Sequence, residues 1–273
     1  MPSPRAWVRR DWQSEYHDAM IDHDKSVGEM LAQLDALGIA DDTIVFYSTD
    51  NGPHMNSWPD GGMTPFRGEK NTNWEGAFRV PGMVRWPGKI KAGAVSNQMI
   101  SHIDWLPTIL AAAGEADITE KLLKGLKVGA KTFKVHLDGY NQLPFLTGET
   151  DTSPRIEFFY FSDDGNLLAL RYDNWKLVFA EQREQGTLQI WAEPFVRLRV
   201  PRFFNLRMDP FERAPITSNT YWDWVFDHVF LAVPAQKFVA DFLATFRDYP
   251  PRQKAASFTV DQVLAKLQES HGG

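Results

Sequence analysis

The stretch that decides the fold is Thr43-Ile44-Val45-Phe46-Tyr47-Ser48, followed by Thr49-Asp50-Asn51-Gly52-Pro53. Five β-branched and aromatic residues in a row, closed by Ser48, read as a strand, and nearly every position is apolar, as in a strand covered on both faces of a sheet. Just upstream, Met20, Ile21, Val27, Met30, Leu31, Leu34 and Leu37 recur at helical spacing and Gly38 closes the segment. Helix, tight turn and buried strand together predict an α/β fold. Ligands in open α/β sheets collect beyond the carboxyl ends of strands, which makes Asp50-Asn51-Gly52 the first candidate site.

Asp50 offers a carboxylate and Asn51 an amide oxygen, both suited to a hard cation such as calcium or magnesium. Neighbouring side chains on a regular strand point to opposite faces, so they can share an ion only if the backbone leaves strand geometry there. Gly52-Pro53 permits that, although Asp-Asn-Gly is equally the composition of a plain turn. The chain from Asp50 to Pro81 is too long and too rich in Gly, Pro and charge for a simple connection. Within it, Phe66-Arg67-Gly68-Glu69-Lys70-Asn71-Thr72-Asn73-Trp74-Glu75-Gly76-Ala77-Phe78-Arg79 interleaves charges with aromatics. A lysine there can set a compact positive charge against a tetrahedral oxyanion.

Further along, Gly82–Trp86 reads as a strand and Leu106–Ala113 as a helix with Pro107 in its first turn. After Asp138-Gly139-Tyr140 the texture changes to closely spaced strand candidates: Ile156–Phe161, Leu167–Tyr172, Trp175–Ala180, Leu188–Trp191 and Phe203–Leu206. An antiparallel sheet is expected from these, followed by a helix with the stripe Phe238, Val239, Phe242, Leu243 and Phe246. A boundary near residue 150 divides the chain into 1–150 and 151–273.

Composition excludes several classes. A net charge of -6 disfavours a nonspecific nucleic-acid binder. Cys is absent, which removes disulfides, thiolate metal sites and a Cys nucleophile. No membrane span and no signal segment are read in the sequence, which is taken as soluble. Ten Trp and nineteen Phe are taken as core.

Ser48-Thr49-Asp50-Asn51-Gly52, Arg67-Gly68-Glu69-Lys70 and Trp74-Glu75-Gly76-Ala77-Phe78-Arg79-Val80-Pro81 closely resemble the sulfatase family of the alkaline-phosphatase-like superfamily. Asp22-His23-Asp24 to Gly28, Ile103-Asp104-Trp105-Leu106-Pro107-Thr108, Asp138-Gly139 with Pro144-Phe145-Leu146-Thr147-Gly148, and Asn205-Leu206-Arg207-Met208-Asp209-Pro210 extend the likeness over most of residues 16 to 213. The tail from Tyr221 to Leu267 is similar to a bacterial arylsulfatase subgroup. The resemblance implies the carboxyl-terminal portion of such a protein: part of a mixed sheet flanked by helices, plus a small α+β subdomain.

It also implies site residues. Asp50 and Asn51 match ligands of a divalent cation, usually calcium, and Lys70 matches the lysine that holds the sulfate and steadies the leaving oxygen. His54 is a candidate proton donor or substrate contact, with loop fixing as the alternative. His17, His23 and His102 are read as structural, Asp24 as a partly buried carboxylate, and Glu75, Arg79 and Asp104 as groups that fix loops and helix ends.

Members of the family attack sulfur with a formylglycine made from Cys or Ser in a Cys/Ser-x-Pro-Ser/Ala-Arg motif, and that full pattern does not stand in this sequence. Pro2-Ser3-Pro4-Arg5 and Thr152-Ser153-Pro154-Arg155 have the wrong order. The second pair of acidic cation ligands is also missing. The expectation is a chain inactive by itself toward sulfate esters of small molecules or glycans, open to self-association or a complementing chain along its incomplete sheet. The alternatives are a degenerate homologue or a phosphodiesterase or phosphonate hydrolase of the same superfamily. The compartment stays open, although relatives are often periplasmic or secreted.

Overall fold

The structure, a computed structural model, describes residues 14–55, 61–186 and 188–251. Pro2-Ser3-Pro4-Arg5 and the tail beyond residue 251 lie outside them. Helix α1, Glu15–Ala36, is capped by the Ser14 side chain, which accepts from the His17 N–H. It ends where Gly38 takes a positive φ of 68°. Its inner stripe is only partly covered: Val27, Leu31 and Leu34 are half-buried, while Met20, Ile21, Met30 and Leu37 are exposed. Asp24, expected to be partly buried, is also exposed, because the stripe it shares finds no packing partner at that end.

Strand β1, Val45–Ser48, pairs antiparallel with β2, Gly82–Arg85, in a two-stranded sheet. The expectation of a strand buried on both faces is not met: Phe46 is exposed and the other three residues are half-buried. The apolar pattern was read correctly as sheet, but among the described residues no layer covers it. Between these strands the short helix α2, Glu75–Phe78, sits almost wholly buried. Helices α3, Trp105–Ala112, and α4, Ile118–Lys124, follow. A small hairpin of β3, Leu126–Val128, and β4, Lys131–Phe133, then leads to α5, Leu143–Thr147.

The expected antiparallel sheet is present as four strands in sequential order: β5, Glu157–Phe161; β6, Leu167–Tyr172; β7, Trp175–Glu181; and β8, Val196–Asn205. One expected strand is a correction: Leu188–Trp191 is not a strand, because Gln189–Ala192 forms a helical turn, α6. Short apolar runs do not distinguish the two states by pattern. Helices α7, Ala214–Thr217, α8, Tyr221–Asp227, and α9, Ala232–Asp248, complete the described chain.

The four-stranded sheet carries the core on both faces. Trp74 from the long loop packs on one face with Tyr160, Leu168, Val178 and Phe204. Leu170, Leu177 and Phe203 on the other face meet Tyr221, Val225, Leu231 and Ala235. Each such fully buried apolar side chain contributes roughly 1.5–3 kcal/mol. Helix α9 lies on the second face through stacked rings, Phe242 on Phe159 at 4.1 Å and Phe238 on Tyr172 at 5.6 Å. By length and composition alone Val229–Asp248 is also apolar enough to cross a membrane.

Candidate active site

Asp50 and Asn51 stand beyond the last residue of β1, in a bend, so the opposite-face restriction of a strand does not apply to them. Two backbone bonds fix this bend against the long loop. The Gly52 N–H donates to the Ala77 carbonyl at 2.7 Å, and the Lys70 N–H donates to the Pro53 carbonyl at 2.9 Å. The close approach requires glycine. A Cβ on Gly52 would lie 1.8 Å from the Gly76 carbonyl oxygen, and one on Gly76 would lie 2.5 Å from those of Arg67 and Gly68. Asp50, Asn51 and Lys70 all border one broad open cavity of about 3090 Å³, which also reaches Phe46, Arg155 and Arg207.

The loop bearing Lys70 is shaped by its own short bonds. The Thr72 hydroxyl donates to the Glu69 carbonyl at 2.7 Å, and Asn71 adopts a left-handed φ of 71°. Buried Asn73 donates to the Ala180 carbonyl at 2.7 Å and accepts from the Gln182 N–H at 3.3 Å, which ties the loop to the end of β7. Arg67 lies flat over Trp74, 3.5 Å from the ring centre.

Beneath the loop is a buried charged centre that the sequence did not announce. Lys176, fully buried, donates to the Asn73 carbonyl at 2.9 Å and to Glu75 Oε1 at 3.1 Å. Its Nζ also lies 2.8 Å from Glu212 Oε1, a charge contact outside hydrogen-bond alignment. Glu212 Oε2 accepts the Glu75 N–H at 2.7 Å, and the Tyr160 hydroxyl donates to Glu75 Oε1 at 2.7 Å. Arg79 and Arg171 add positive charge at 2.7 and 3.6 Å from Glu75 Oε2.

Burial pushes the Glu75 carboxyl up, but Lys176, Arg171, the Tyr160 hydroxyl and Arg79 outweigh it and hold its pKa at about 2. Glu212 moves the other way. Burial raises its pKa, Lys176 opposes, and the neighbouring Glu75 charge adds to the rise. Burial also raises Tyr160, well above the ordinary phenol value.

A second buried pair joins the Asp104 turn to residues beyond 150. Arg155 grips Asp104 through Nε at 2.9 Å and through a terminal nitrogen at 2.5 Å. Asp104 also accepts the Ser101 N–H at 2.9 Å and the Tyr140 N–H at 2.8 Å, so the expected helix-fixing role is what the geometry shows. The Ser153 hydroxyl donates to the Met99 carbonyl at 2.7 Å. Thr152-Ser153-Pro154-Arg155 is therefore a structural clamp.

His54 does not line the cavity. Its Nε2 lies 3.4 Å from the Trp191 indole nitrogen and 3.9 Å from Glu69 Oε2, a loop-fixing arrangement. His17 contacts Ser14, His23 the Tyr47 hydroxyl, and His102 the Ser48 hydroxyl at 2.9 Å. Among the described residues no three His, Cys, Asp or Glu side chains converge as a metal site. Asp50 and Asn51 have the oxygen chemistry of a hard-cation site, yet two ligands fall short of the six or more that calcium takes.

The Lys70 loop lies in the part of the chain to which the comparisons point. A family model described as Sulfatase matches residues 12–115, which includes Asp50, Asn51 and Lys70. Steryl-sulfatase of Mus musculus is 32% identical over 77% of this chain and 35% of its own length. N-acetylgalactosamine-6-sulfatase of Homo sapiens is 38% identical over 75% of this chain and 39% of its own. The solved PsFucS1 sulfatase from Pseudoalteromonas sp. is 32% identical with a TM-score of 0.70, over 86% of this chain and 44% of that one. The chain is similar to the sulfatases along most of its length and shares their alkaline-phosphatase-like α/β fold. It spans less than half the length of each of these relatives.

Lys176, Glu212, Arg155 and Trp191 escaped the sequence reading. Lys176 looks like any outward residue of an alternating strand, and only the loop packed over it makes it buried.

Proposed function

We propose that this chain supplies the anion-holding side of a sulfate-ester hydrolase. Lys70 sets its ammonium against the sulfate and the departing oxygen. Asp50 and Asn51 give a partial set of oxygen ligands to a divalent cation, calcium ahead of magnesium. One observation carries this reading: the Gly52–Ala77 and Pro53–Lys70 backbone bonds hold the two segments together, so that all three side chains line one cavity.

Hydrolysis of a sulfate ester piles negative charge on the leaving oxygen. A fixed ammonium lowers the barrier by meeting that charge where it develops. Lys70 suits the task because among the described residues it has no carboxylate partner to compete for its charge. The family attacks sulfur with a residue made from Cys or Ser in a Cys/Ser-x-Pro-Ser/Ala-Arg motif, and this sequence holds no Cys and no Ser in that full pattern. Its only Ser-Pro sequence among the described residues, Ser153-Pro154, has a buried serine engaged with the Met99 carbonyl. The chain alone therefore binds sulfate esters, of small molecules or glycans, without turning them over. Exposed apolar side chains on both faces of the β1–β2 sheet, Phe46 on one and Met83 on the other, leave surface for a complementing chain or a second copy.

The test is an assay of the purified chain with 4-nitrophenyl sulfate and calcium, alongside titration with inorganic sulfate. The expected result is no metal-dependent turnover and sulfate binding that Lys70→Ala weakens at least tenfold. Turnover that depends on the metal contradicts the inactive reading. Sulfate binding indifferent to Lys70→Ala contradicts the site.

A further inference from the structure

Among the described residues, Trp191 is the aromatic side chain placed against both Lys70 and His54, and it is 52% exposed. An indole normally buries its large apolar body, so a half-exposed one in a charged cavity is conspicuous. It is also held still. Ile190, next to it in α6, is buried, and the side chain of buried Gln182 donates to the Ile190 and Glu193 carbonyls at 3.3 and 2.8 Å. The indole N–H points at His54 Nε2, 3.4 Å away, which makes His54 the acceptor with its proton on Nδ1.

Behind both stands Glu69, 1% exposed and adjacent in sequence to Lys70. Its two oxygens accept the Met55 and Gly186 N–H groups, each at 2.6 Å. One buried carboxylate thus fastens the His54 segment and the segment before α6 to the loop that presents Lys70. The Lys70 ammonium lies 5.8 Å from the centre of the Trp191 ring, and both line the same cavity.

We infer that Trp191 is the wall against which the organic part of the ester stacks, and so a specificity-determining residue for this site. The inference rests on the reading of Lys70 as the sulfate-holding group. A sulfate oxygen paired with an ammonium sits about 2.7–2.9 Å from it. The ester carbon, one sulfur and one oxygen further on, then falls within van der Waals reach of the indole face. The ligand chemistry that fits is a sulfate monoester whose alcohol carbon belongs to a flat apolar face, either an aromatic ring or the C–H face of a sugar. A sulfate on a flexible alkyl chain gains little there. His54 acts through Trp191, as a positioning residue that sets the ring plane.

The experiment compares affinities of the whole chain for inorganic sulfate, methyl sulfate, 4-nitrophenyl sulfate and glucose 3-sulfate, whose ester carbon is in the ring, followed by NMR shifts. The Trp191 indole N–H signal is assigned by its loss in Trp191→Phe. The expected result is that at least one of the two flat esters binds about tenfold more tightly than methyl sulfate, a factor typical of one aromatic stack. Which of the two does so distinguishes the aryl from the sugar source. Trp191→Ala removes that advantage while leaving inorganic sulfate unaffected, and Trp191→Phe keeps most of it. His54→Ala shifts the indole signal and lowers the advantage only in part.

Equal binding of flat and methyl esters overturns the inference, as does an advantage that survives Trp191→Ala. The Lys70 reading fails separately, if Lys70→Ala leaves inorganic sulfate binding unchanged.

Discussion

Lys70 and Lys176 stand on either side of the loop around Trp74, Lys70 presented on the loop itself and Lys176 locked beneath it on β7. Lys176 is fully buried and its ammonium meets the Asn73 carbonyl, Glu75 and Glu212. Lys70 has only the edge of its surroundings: a backbone bond to Pro53 and an indole ring 5.8 Å away. The same side chain is a structural cation when its charge is spent on buried partners and a ligand-facing one when it is not. The contrast also assigns labour along the loop, since the buried centre fixes the backbone that the exposed lysine rides on.

The contrast breaks most visibly at Lys176. Lys176→Met removes the cation that lies between Glu75 and Glu212, leaving Glu212 without its ion-pair partner, which costs on the order of 3–5 kcal/mol, read as a lowered urea midpoint. Lys70→Ala, the same charge removed in front, changes stability by no more than about 0.5 kcal/mol. Equal losses for the two would erase the distinction.

Gly52→Ala comes next. The added methyl drives into the Gly76 carbonyl and costs about 1–3 kcal/mol, and because it parts the Asp50 bend from Lys70 it also weakens sulfate binding. A variant of full stability and affinity shows that the close approach is not needed.

Acid sharpens the comparison further. Glu75 stays ionised in the folded chain down to a pKa of about 2, against an ordinary 4.5. Its stabilising contribution is therefore complete above about pH 5 and is lost as pH falls through that interval toward 2. Glu212, raised by burial, has the opposite sense: its ionisation takes stability away as pH rises through its folded value. Glu75→Gln flattens the acid limb of the stability profile between about pH 5 and 2, whereas Lys70→Ala leaves that limb in place.

The fold was legible where it rests on local chemistry. The β1 strand, the Gly38 stop, Pro107 in the first turn of α3 and the Phe238–Phe246 stripe of α9 are patterns of neighbours in sequence, and each is present in the structure. Asp50, Asn51 and Lys70 were singled out by resemblance, and their sharing of one cavity depends on contacts at separations no periodicity reports. Lys176 and Arg155 were invisible for a related reason. A lysine in a strand and an arginine after Ser-Pro acquire meaning only from Glu75, Glu212 and Asp104, far along the chain. Leu188–Trp191 was misread because four residues are too few to show a period, and the error hid the indole that stands beside Lys70.

The central claim is that the Asp50 bend and the Lys70 loop form one sulfate-holding face. Titration of the nitrogen-15-labelled chain with sodium sulfate in the presence of calcium tests it most directly. The account predicts that the amides of Asn51, Gly52, Glu69 and Lys70 shift together along one binding curve and that Lys70→Ala abolishes the response. Shifts confined to one of the two segments, or unchanged in Lys70→Ala, contradict it.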